Sequence, residues 1–223
     1  MISNELNLEQ LNNLSPEERA LALEILKEYS QDGYSALLED LKYSDYEEIP
    51  VDIITFITEE KYLGRGLWIK DEFTGERKCT VFPYWIDKLQ EIFPDNLTTK
   101  YNTLILTGSI GLGKSFIAVV CQLYLLYRML CLKNPYVFYG LQQIDHITFS
   151  FINITLDAAK GVAWAKCQEL LKSSPWFLEH GTLSKSQDPE WSPNGGIELI
   201  YGSLPRHVLG RAVFCSFEDE ISF

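Results

Sequence analysis

The densest chemical signal in this chain is Gly108-Ser109-Ile110-Gly111-Leu112-Gly113-Lys114-Ser115. A glycine, four intervening residues and then Gly-Lys-Ser is the pattern that cradles a phosphate chain. Glycines let successive backbone N–H groups turn inward around the phosphates. The helix start that follows adds partial positive charge at the same point. In that setting Lys114 reaches the β- and γ-phosphates, and the Ser115 hydroxyl takes a place on Mg²⁺. These residues call for a bound nucleotide.

A second stretch closes the chain: Ala212-Val213-Phe214-Cys215-Ser216-Phe217-Glu218-Asp219-Glu220. It reads as a mostly apolar strand delivering carboxylates to its C-terminal end. Phosphate-loop enzymes need one acid to order Mg²⁺ and its waters and another to polarise the attacking water. Asp219 is assigned to the metal and Glu220 to the water, with Glu218 and Asp219 as the alternative register. Adjacent acids in these roles favour the ATP-hydrolysing, RecA-like (ASCE) branch of the P-loop fold.

These groups must be held by a sheet and its helices. Thr103 to Thr107 reads as a short buried strand leading into the loop, and Phe116 to Leu132 as an apolar helix leaving it. Ile147 to Ile154 and Ile197 to Tyr201 read as further strands, with Asp157 to Ser173 as a helix between them. Ser174-Pro175-Trp176-Phe177 terminates that helix. Gly181 to Gly196 reads as irregular, and Gly202 to Arg211 as a loop. Phe82 to Pro94 is predicted as a helix with Pro83 in its first turn. Its Tyr84 and Trp85 either offer a flat surface to an adenine ring or anchor the helix as core aromatics. Upstream, Val51 to Ile57 leans helical, Leu63 to Gly66 reads as a turn, and Leu67 to Val81 reads as a hairpin around Thr74-Gly75. Lys133-Asn134-Pro135 reads as a turn. Ser15, Pro16 and Glu18 form a capping box that opens a helix, and a second helix spans about Tyr34 to Lys42.

The fold class expected is therefore α/β, a P-loop domain with a mainly parallel sheet flanked by helices. Residues 1–48 form a helical appendage, 49–100 a hairpin and helix leading into the core, and 101–223 the P-loop core. The 223 residues are 46% hydrophobic and carry a net charge of −12, which disfavours a broad nucleic-acid-coating surface. The five cysteines lack metal-ligand spacing and read as reduced core residues. Met1-Ile2-Ser3-Asn4-Glu5 has none of the make-up of a secretory signal, and the apolar run after the loop, broken by Gln122 and Arg128, reads as buried rather than membrane-spanning.

Together these residues resemble the N-terminal ATPase region of a large terminase subunit, the DNA-packaging motor of tailed bacteriophages. The resemblance runs from about Pro50 onward. It lies in Phe82-Pro83-Tyr84-Trp85 before the loop, Leu106-Thr107-Gly108 leading into Gly113-Lys114-Ser115, Asn153 to Asp157 with Ser174-Pro175-Trp176-Phe177, and Leu209-Gly210-Arg211 before Asp219-Glu220. It implies an ATP-hydrolysing subunit of a ring, usually of five, on the portal protein of an empty capsid in the host cytoplasm. Such a ring moves double-stranded DNA and works with a small terminase subunit. It further implies an arginine that completes an active site in cis or in trans, for which Arg206 and Arg211 are the candidates. Relatives of this kind often have a basic residue where Ser109 and Ile110 stand, and an adenine-reading Gln where Trp85 stands. Their sheet continues beyond the acidic strand, and a nuclease domain follows, so the chain reads as a fragment, a truncation or the ordered part of a longer chain. Two other readings stay open: another ATP-dependent nucleic-acid translocase or helicase, and a nucleotide-binding module without turnover.

Overall fold

The computed structural model describes residues 14–15, 17–18, 21–22, 41–70, 72–109, 111–181, 196–203 and 211–219. The described chain divides into two units, residues 1–49 with 131–141, and 50–130 with 142–223. In the first, the backbone N–H of Ser15 donates to Glu18 at 2.9 Å and the Glu18 N–H donates back to the Ser15 hydroxyl at 3.3 Å, the reciprocal pairing of a capping box. Tyr46 pairs with Leu132 in an isolated antiparallel bridge, and the Glu47 N–H donates to the Cys131 carbonyl at 2.8 Å. Most of the two expected N-terminal helices lies outside the described residues.

The second unit is α/β. Asp52 caps helix α1 (Ile53–Thr58) by accepting from the Ile54 and Thr55 N–H groups. Helix α2 (Gly64–Leu67) stands where a turn is expected, and packing decides it: Gly64 and Leu67 are both buried. Strands β1 (Trp68–Lys70) and β2 (Arg77–Cys79) pair antiparallel. Helix α3 (Pro83–Ile92) buries Leu89 and Ile92. Helix α4 (Lys114–Leu130) starts at the motif lysine and is buried along most of its length. No helix among the described residues is long and apolar enough to cross a membrane.

In the first unit, α5 (Pro135–Phe138) begins where a turn is expected; Asn134 caps it and Pro135 sits at its first position. Back in the second unit, strand β3 (Ile147–Asn153) leads into α6 (Leu156–Ala158), a π-helical stretch (Ala159–Trp164) and α7 (Ala165–Ser173). The wider π turns place Ala159, Ala163 and Trp164 all in the core, and Trp164 lies against Phe151 and Tyr201. Ser174 does more than end α7: its side chain caps α8 (Pro175–His180). Strands β4 (Ile197–Gly202) and β5 (Ala212–Asp219) flank β3 on either side, both parallel to it.

One expected strand is absent. Residues 103–107 form no ladder, and Leu104 and Ile105 are exposed. An apolar run becomes a strand only where another backbone accepts its hydrogen bonds, and among the described residues none lies alongside this one.

The core beside α4 is aromatic. Phe56, fully buried, stacks on Tyr127 at 4.9 Å and meets Tyr124, Tyr62 and Phe177. The tyrosine hydroxyls are satisfied by the segment entering α1: Tyr124 donates to the Val51 carbonyl and Tyr127 accepts from the Val51 N–H. Phe56→Ala is expected to cost about 3–5 kcal/mol of unfolding free energy through the cavity it leaves, read as a lowered urea midpoint. An unchanged midpoint would remove this cluster from the stabilising core. Burial pushes the Cys121 thiol up to about 12 and raises Cys167 and Cys215 as well, and all five cysteines are free.

Candidate nucleotide site

The loop before α4 bends through three glycines at positive φ: Gly108 at 125°, Gly111 at 88° and Gly113 at 81°. Side chains rarely adopt that backbone region, so the bend depends on glycine at these places. Lys114, the first residue of α4, folds back over the loop. Its Nζ donates to the carbonyls of Gly108 and Ser109, each at 2.8 Å. The 17-residue helix behind it points its positive end at the same spot. Ile110 lies outside the described residues.

Ser115 is bound across the fold. Its hydroxyl donates to Oδ2 of Asp219 at 3.2 Å, joining residues 104 apart in the chain. Cys215 stands four residues earlier on β5. Side chains four apart on a strand share a face, so β5 presents Cys215 and Asp219 to α4 together. Gln122 of α4 donates to the Ser150 carbonyl of β3, fastening the helix to the sheet.

The register of β5 against β3 decides which acid arrives. Thr148 faces Val213 but Phe149 faces Cys215, so Phe214 is an extra residue, a bulge. Beyond it Asp219 stands opposite Asn153; without the bulge Glu218 would stand there. Glu218 is exposed and, among the described residues, accepts a long bond from Ser216, 3.5 Å. Asn153 is buried at the end of β3. Its Oδ1 accepts from the Ile154 N–H at 2.7 Å. Both ends lie at the carboxyl edge of the parallel strands, where open α/β sheets bind ligands.

A hydroxyl and a carboxylate oxygen at one point form a hard-oxygen donor set, the kind Mg²⁺ takes. The residues present fit the ion that accompanies a bound nucleotide, with Ser115 and Asp219 as its holders.

Trp85, the third residue of α3, is half-buried, and its indole N–H donates to the Leu112 carbonyl in the loop at 2.7 Å. Tyr84 meets it edge-on at 5.1 Å and is 61% exposed. Neither is a core anchor of the sheet; the pair forms an aromatic wall beside the loop.

Arg211 requires a correction. It precedes β5, at the end of the strand opposite Asp219, and eight residues at about 3.3 Å each put some 25 Å between them. There it pairs with Glu198, which also accepts from the Thr148 hydroxyl at 2.8 Å and has His146 3.9 Å away. A cavity lined by Ile144, Asp145, His146, Glu198, Arg211 and Ala212 marks this amino end of the sheet. Arg211 therefore cannot complete the site of its own chain. Arg211→Ala is expected to leave the isolated chain's nucleotide affinity within about twofold, as for distant sites, while costing about 1–2 kcal/mol of stability for the lost charged hydrogen bond. Titration of nucleotide into the variant, alongside its thermal melt, checks both. Arg206 and Glu220 lie outside the described residues.

A triphosphate-sized bend fastened to a helix start, facing an acid from a parallel strand, defines a class: the P-loop proteins, which bind nucleoside phosphates through this loop. Within that class the chain belongs to the family described as "Uncharacterized protein MJ0330, N-terminal P-loop domain", whose model matches residues 9–196. No curated protein and no solved structure matches the chain. The matched span ends before β4, so the place of Asp219 at the site rests on its contact with Ser115.

Proposed function

We propose that the chain hydrolyses ATP, and that it does so as the motor region of a viral DNA-packaging terminase. The observation behind the hydrolase reading is the hydrogen bond from Ser115 to Asp219 beside the folded-back Lys114. An ammonium has three N–H donors. Two hold the loop carbonyls, and the third serves the phosphate oxygens. The loop amides and the start of α4 bear on the same oxygens. Mg²⁺, when bound with the nucleotide, supplies further neutralisation of phosphate charge. Glu220, next to Asp219 in sequence, is assigned the attacking water, whose proton it accepts.

The terminase reading rests on the four sequence stretches that resemble that family. In it the chain works in a ring, with five as the expected number, on a portal protein. It is docked transiently on a procapsid in the host cytoplasm, moves double-stranded DNA and works with a small terminase subunit. Because Arg211 is committed to Glu198, Arg206 is the candidate for completing a neighbour's site in trans. The test is phosphate release from Mg-ATP with and without double-stranded DNA. Release stimulated by duplex DNA supports the motor; release stimulated only by a forked duplex points to a helicase.

One observation favours a second reading, a nucleotide-binding module without turnover: among the described residues no strand pairs with the segment entering the loop, whose Leu104 and Ile105 are exposed. Nucleotide binding without phosphate release would establish it.

A further inference from the structure

We infer that Trp85 is a positioning residue for the phosphate loop, acting through the Leu112–Gly113 peptide rather than on the nucleotide base. The inference rests on the nucleotide-binding reading of the loop. A trans peptide is planar, and its C=O and N–H point in opposite directions. The indole N–H holds the Leu112 carbonyl at 2.7 Å, a short bond for a nitrogen donor. It thereby turns the Gly113 N–H to the other side of the loop, away from the indole. A Cβ on Gly113 would lie 3.7 Å from the indole nitrogen, so the ring sits against this peptide.

The peptide needs a holder. Gly111 and Gly113 flank Leu112 on both sides, both at positive φ, and glycine resists rotation less than any other residue. Leu112 itself is 48% exposed, with its side chain lying over Gly108 of the same loop. Trp85 is fixed in turn: it lies in the first turn of α3, whose Leu89 and Ile92 are buried, and Phe93 beyond packs on Tyr124 of α4 at 4.8 Å. The tether thus runs from the helix that buries its face in the core to the one carbonyl of the loop that lies between two glycines. The indole edge that donates this bond is committed to the loop. The exposed ring of Tyr84 is the neighbouring surface left to meet a base.

The test is titration of the full chain with inorganic tripolyphosphate, ATP and adenosine, in the wild type, Trp85→Phe and Lys114→Ala. Phe keeps the aromatic body and removes the N–H. Trp85→Phe is expected to weaken tripolyphosphate and ATP by the same factor, about fivefold for one lost hydrogen bond. In the wild type, one of the five tryptophan indole N–H signals in a ¹H–¹⁵N spectrum should move on adding tripolyphosphate and stay still with adenosine. That signal should be the one missing in Trp85→Phe. Weakened ATP with unchanged tripolyphosphate would overturn the inference in favour of base contact. Unchanged affinity for both, while Lys114→Ala loses tripolyphosphate, would overturn it and leave the nucleotide reading standing. Failure of the wild type to bind either ligand would remove the nucleotide reading itself. Should Trp85→Phe not fold, the wild-type spectrum still decides: five unmoved indole signals under saturating tripolyphosphate refute the tether.

Discussion

Lys114→Ala is expected to lower ATP turnover by at least about a hundredfold, the loss seen when one preorganised donor to a developing charge is removed. The Lys114 ammonium is the only one among the described residues hydrogen-bonded to the loop, and it holds the carbonyls of Gly108 and Ser109 together. Its removal takes away both a cation at the phosphates and the clasp that shapes the bend. The fold should survive, because the side chain is partly exposed and the helix it begins is held by its buried apolar face. Phosphate release at saturating Mg-ATP, with far-UV circular dichroism as the control for folding, is the measurement. Wild-type turnover from a folded variant would mean that the loop is not the catalytic centre.

Asp219→Asn is expected to have an effect of similar size, at least about a hundredfold on turnover, by a different route. Asparagine keeps an oxygen where Asp219 accepts from Ser115, so the contact between α4 and β5 can persist. What disappears is the negative charge that would draw Mg²⁺ to that oxygen. The defect should therefore shrink as Mg²⁺ is raised, whereas that of Lys114→Ala should not. Glu218→Gln is the matched comparison: its carboxylate is exposed and lies off the face that meets α4. It should retain turnover within about threefold, the range of a surface change outside the site. If Glu218→Gln were the crippled variant and Asp219→Asn active, the acid register would be the other one.

Much of the fold is legible because its signals are local. Proline opens α3, Asp52 caps α1, and α4 begins at the lysine that the motif places there, whereas Asn134-Pro135, read as a turn, opens the helix α5. The hairpin of β1 and β2 turns at Thr74-Gly75, with Gly75 at φ 72°. The misses are non-local or come from competing local signals. Residues 103–107 have the composition of a strand but no partner backbone alongside. Ser174-Pro175 reads as a stop, yet it also opens a new helix that buries Trp176 and Phe177. The π-helical stretch follows from which side chains reach the core, not from any residue preference.

The same division runs through the site. The glycines at positive φ, the lysine and the serine lie within eight residues, so the chain's own order determines a phosphate bend at a helix start. Which acid meets Ser115 and which indole braces Leu112 were settled only by strands and helices brought together from 27 to 104 residues away. The reason is the two-residue period of a strand. One bulged residue, Phe214, exchanges every side chain beyond it between faces, and whether that bulge forms is decided by pairing with β3, not by the residues around it.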